Sequence, residues 1–127
     1  MSITTTLGVK TTLIVAGLAT LASGAEAISD ELNILDATVN GTGLSIDINA
    51  SIAAPQSNNL NVYLLGTNTS GSYGTTDDLT NLILLDSISM SETTAKKNIQ
   101  IPAEHLAPYF KLVFSNDCSA ALTAATV

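Results

Sequence analysis

The chain has no tryptophan and no arginine, and among its 127 residues there is one cysteine and one histidine. Each of these shortages closes off a class of function. With four lysines against eleven acids and a net charge of −7, no cationic face can form to neutralise phosphates, so direct nucleic-acid binding is not expected. The same acidic balance disfavours attachment to an anionic membrane surface, and the apolar run near the N-terminus is too short to cross a bilayer. A lone cysteine, Cys118, cannot make an intrachain disulfide and has no His or Cys at metal spacing. It reads as a small buried hydrophobe at the end of a strand. Since aromatic residues are limited to three Tyr and two Phe, the core falls to Leu, Ile, Val and Ala.

The inventory for catalysis is equally thin. His105 sits between Glu104 and Leu106 in an expected turn and offers no spacing with which to build a Ser-His-acid set. Asp77 with Asp78, and Asn116 with Asp117, are oxygen-rich pairs, but neither follows the alternate-residue pattern of a calcium loop. Turn chemistry is the better reading for both. No glycine-rich phosphate loop carries a lysine. No catalytic residue, metal site or cofactor is expected, and the chain does not read as an enzyme.

What is present is a set of short apolar segments separated by Gly, Ser, Thr, Asn and Asp. Residues 59–66 and 81–90 form the central pair. Leu60, Val62 and Leu64 share one face of the first, with Asn61, Tyr63 and Leu65 on the other. The second is apolar on both faces at its start, so the pair is expected in the middle of a sheet. Between them, residues 67–80 make a polar loop with Tyr73 as its aromatic residue. Residues 44–52 alternate most cleanly, with Leu44, Ile46, Ile48, Ala50 and Ile52 against Ser45, Asp47, Asn49 and Ser51. That pattern predicts a strand with one face on a core and one in water or on a partner.

Further strands are expected over residues 31–39, 98–102 and 109–115, with residues 91–97 as a polar loop. Residues 119–127 read as a last strand of small residues or a loose tail. Turn signals recur at regular spacing and no helical period is sustained. The predicted architecture is all-β: an antiparallel β-sandwich of seven or eight short strands, with a jelly roll among the topologies it admits.

Residues 11–27 imitate a secretory signal, with Lys10 as the charge and Ala25, Glu26 and Ala27 as a cleavage site. Against this, the lead-in is Thr-rich and β-prone, and Gly17 and Thr20 interrupt the apolar run. The expectation is an uncleaved segment: an N-terminal arm over residues 1–10, then one domain over residues 11–127. A strand over residues 11–16 and an irregular connection over residues 17–30 begin that domain.

Several stretches, taken in order, resemble one family. These are the Thr-rich start, the Leu18–Ala27 connection leading to Ile28 and Asp30, the strand from Leu60 through Val62 and Tyr63 to Gly66, and the polar loop after it. The last are the run from Ile101 to Asp117 and the small-residue strand from Ser119. The chain resembles small β-sandwich structural proteins of tailed-bacteriophage virions, of the capsid decoration or cement type. Glu26 stands where that family often has an arginine, so a contact through the arginine is not carried over.

The resemblance implies a capsid-surface protein of the virion that binds the major capsid protein, assembles as a dimer or trimer, and has no catalytic residues. The contact residues expected from the sequence are Ile3, Leu7, Leu13 and Val15 of the N-terminal segment and Tyr73 of the polar loop. A tail or neck adaptor of the same particle, and a secreted or cell-surface β-sandwich binding module, are the alternatives.

Overall fold

A computed structural model describes residues 15–33, 43–67, 69, 71, 73, 82–102 and 106–127. The predicted fold class is the one observed: an all-β sandwich of two antiparallel sheets. A single-turn 3-10 helix, Leu18–Thr20, precedes eight strands. They are β1 (Glu26–Ile28), β2 (Leu32–Asn33), β3 (Gly43–Ile52), β4 (Asn59–Thr67), β5 (Ile83–Ser89), β6 (Thr94–Pro102), β7 (Tyr109–Asn116) and β8 (Leu122–Thr126).

The larger sheet runs β1-β7-β4-β5, with β2 also on β7, and the smaller runs β6-β3-β8. The core between them follows from alternation. Leu60, Val62 and Leu64 of β4 face Phe110, Leu112 and Phe114 of β7, and Ile46, Ile48, Ala50 and Ile52 of β3 close the space from the opposite sheet. Phe110 and Phe114 are fully buried, and each contributes about 1.5–3 kcal/mol through apolar area removed from water. With so few aromatics, these two rings are the largest pieces of the core.

Four expectations need correction. The stretch expected as an irregular connection contains β1, whose Glu26, Ala27 and Ile28 pair with Ser115, Phe114 and Val113. Three residues are too few to show a period, yet the long edge of β7 supplies the missing hydrogen bonds. Thr94 to Lys97 are strand and not loop, because β3 is long enough to pair with them throughout; they look polar because β6 is an edge. β5 also lies at an edge, with β4 and β7 in the middle of the sheet. Finally, Val15 lies in no strand: it leads into a turn through Gly17, whose φ of 78° starts the 3-10 helix.

The register of β5 shifts between Val62 and Tyr63 of its partner, where Asp86 lies opposite Val62 but Leu84 lies opposite Tyr63. Leu85 is the extra residue of this β-bulge. The bulge swaps the faces of everything before it. Leu84 is therefore turned to the outer face opposite Tyr63, while Ile83 comes to lie opposite core-facing Leu64 and is left exposed by the position of β5 at the end of the described sheet.

The described residues of the strand expected over residues 31–39 form β2, and the rest of that stretch lies outside the described residues. Residues 119–127 resolve to a strand, β8, which pairs with β3.

Candidate functional site

The two long sides of the sandwich are built differently, and the difference locates the candidate contact surface. On one side, the segment from Leu18 to Ala25 plugs the space between β7 and β8. Leu18 and Leu21 are buried in the core, and the Leu21 carbonyl accepts from the Leu122 amide at 3.0 Å. Asn116, fully buried at the end of β7, completes the plug. Its side-chain amide donates to the carbonyls of Leu21 and Ala120, both at 3.0 Å, and its side-chain oxygen accepts from the Cys118 amide at 3.0 Å. Both hydrogens of that amide and its oxygen are thus engaged by the fold. The oxygen-rich pair Asn116 and Asp117 is thus turn chemistry, with Asp117 accepting from Asn61 and Ser115.

Cys118 is buried beside this plug, as its sequence context suggested, and its Sγ lies 3.3 Å from the Asn58 carbonyl. Burial, with the Asp117 charge adding to it, pushes the thiol up from its ordinary pKa. A buried, protonated thiol is a poor nucleophile.

The other side is open. The β5 and β6 edges approach each other there, and a salt bridge from Lys97 Nζ to Asp86 Oδ2 at 3.3 Å crosses between the sheets. Lys97 pairs with core-facing Ile48, so its stem lies on the inner face and its charge reaches out at the rim. A groove of about 290 Å³ runs along this rim, with Ile88 and Ala95 among its lining residues and Ser87, Ser89, Ser91 and Thr94 supplying hydroxyls. Beyond the bulge, Ile83 and Leu84 are 59% and 53% exposed, and among the described residues they are the exposed large hydrophobic side chains. Among the described residues no strand pairs with the outer edge of β5, and such an edge can offer backbone N–H and C=O groups beside these apolar side chains.

Of the residues expected from the sequence as contacts, Val15 and Tyr73 are among the described ones. Ile3, Leu7 and Leu13 lie outside the described residues. Val15 is half-buried and packs against the core. Tyr73 is half-buried: its hydroxyl donates to Glu31 Oε2 at 2.8 Å, and its ring has Lys111 Nζ 4.9 Å from the centroid. Ile83 and Leu84 were missed because the segment, apolar on both faces at its start, was expected in the middle of a sheet. The signal that could have found them is the run Leu82 to Leu85, which is too apolar for a simple two-faced strand and so hints at a bulge.

Among the described residues no group of three or more His, Cys, Asp or Glu is placed to hold a metal ion. No family model matches the chain, and comparison with curated proteins gave no match. The functional argument therefore stands on the residues and their geometry.

Proposed function

We propose that this protein is a non-enzymatic structural component of a tailed-bacteriophage virion, a decoration or cement protein that binds the major capsid protein and stabilises the shell. The observation that carries the reading is the β5 edge, unpaired among the described residues, with Ile83 and Leu84 exposed on it. The other exposed positions among the described residues are small, hydroxyl, amide or charged side chains. Such a surface suits a domain that must stay soluble alone and dock along one line.

The mechanism is additive area. A shell filled with packed genome pushes outward, and each interface laid across neighbouring capsid subunits raises the cost of separating them. A sandwich with a tightly plugged side and an open edge is a stiff block with one adhesive margin. Repetition at the shell's symmetry axes, as dimers or trimers, multiplies a modest contact into a large one. The resemblance set out from the sequence supports the same role on different grounds.

The test is to separate full heads from tails of the source particle and assay each fraction for this chain by mass. Decoration predicts recovery with heads in a stoichiometric, high copy number. Recovery with tails would replace it with an adaptor role at a ring interface. Absence from both would overturn the virion reading.

A further inference from the structure

The outward face of the large sheet carries a second apolar layer, separate from the sandwich core. Leu65 of β4 and Val113 of β7 alternate away from the core, yet only 7% and 2% of their surface is exposed. Leu65 lies opposite Lys111, and Lys111 is the residue over which the Tyr73 ring sits. One carboxylate oxygen gathers the surrounding chain: Glu31 Oε2 accepts from the Gly71 amide and from the Tyr73 hydroxyl, both at 2.8 Å. Glu31 itself is set by the edge of the sheet. It follows Ser29, whose amide donates to the Leu112 carbonyl and whose hydroxyl accepts from the Leu112 amide, and it precedes β2 on the same strand β7.

We propose that Glu31 is a positioning residue that clamps Gly71 and Tyr73 to the outward face of the large sheet, and that Tyr73 serves the protein's own packing. Three features converge on this. The acceptor is charged, and hydrogen bonds to a carboxylate are the stronger kind. Gly71 has φ of 75°, a left-handed conformation that presents its amide to Glu31 without the steric cost another residue would meet. The Tyr73 ring has one face against an ammonium group and its hydroxyl on a carboxylate, so both polar features of the side chain are used within the protein. This holds whether or not the chain is a virion protein.

The test uses the full chain with NMR and needs no partner. In Glu31→Ala, exchange of the Gly71 amide should rise about tenfold or more, the loss expected for a charge-assisted hydrogen bond. The Tyr73 phenol, followed by its ring carbon shift, should titrate at lower pH than in the parent protein. Tyr73→Phe should leave the Gly71 amide protected, because the Glu31 oxygen still accepts from it. Unchanged Gly71 exchange and an unchanged Tyr73 titration in Glu31→Ala would overturn the clamp. Should Glu31→Ala fail to fold, Glu31→Gln keeps an acceptor without the charge and must still shift the phenol.

Discussion

The plugged side and the open side of the sandwich enclose the same core with opposite means. At the plug, the chain uses a 3-10 turn, a buried asparagine and a run of backbone hydrogen bonds, from Gly24 to Asn116, from Asn116 to Ala25 and from Leu122 to Leu21, to tie the segment to β7 and β8. At the open rim, one exposed salt bridge and a row of hydroxyls stand between the β5 and β6 edges. The lesson is that rigidity and adhesiveness are assigned to different margins. Polar groups in the plug are buried and fully matched, so they specify one structure and are costly to lose. Polar groups at the rim are wet, so they cost little to keep and little to remove.

This contrast can be broken most sharply at Asn116. Replacing it by Ala strands two carbonyls and an amide in the plug, and the expected loss is about 2–4 kcal/mol, read as a lower urea midpoint at unchanged slope. Leu21→Ala empties part of the same plug and should cost a similar or slightly smaller amount, about 2–3 kcal/mol. A loss below about 0.5 kcal/mol at either site would remove the plug from the account.

Gly66→Ala is expected to rank next. A Cβ there would lie 2.8 Å from the Ala107 Cβ, so backbone must move, at a cost of about 1–3 kcal/mol. At the rim, Asp86→Asn should change stability by no more than about 0.5 kcal/mol, and that change should shrink further in high salt. A rim variant as damaging as Asn116→Ala would erase the distinction between the two margins.

The outward layer adds a pH dependence. Burial first, then the Glu31 carboxylate, holds the Tyr73 phenol well above the ordinary tyrosine range. The folded state therefore keeps this proton when the unfolded chain, whose tyrosines titrate near about pH 10, has begun to release it. The stabilisation is whole below about pH 10 and is lost as pH rises toward the folded value. Denaturation midpoints should fall between about pH 9 and pH 11, and the fall should be shallower in Tyr73→Phe. An equal slope in both proteins would assign the alkaline loss to other groups.

Much of the fold was legible because alternation reports burial directly. In β3, every residue from Leu44 to Ile52 takes the face that its polarity assigns, and Ile48, Ala50 and Ile52 are almost fully buried. The same holds for Leu60, Val62 and Leu64 in β4 and for Phe110, Leu112 and Phe114 in β7. What escaped was set by neighbours and not by local pattern. Glu26 to Ile28 become a strand because β7 is there to pair with, and Thr94 to Lys97 because β3 is. The candidate site depended wholly on such effects. An edge exists only once strand order is known, and a one-residue bulge at Leu85 puts Leu84 on the outer face while Ile83 owes its exposure to the edge itself. Tyr73 was visible as the aromatic of its loop, but the carboxylate that holds it comes from Glu31, far away in sequence.

The central claim is that the β5 edge is the adhesive margin, and the most direct measurement is binding of an Ile83→Lys, Leu84→Lys double variant to shells stripped of this protein. Because both side chains are more than half exposed, the variant should keep the parent's urea midpoint within about 0.5 kcal/mol. The account predicts that it folds normally and no longer co-sediments with the shells at concentrations that saturate the parent protein. Full binding by the folded double variant would contradict it.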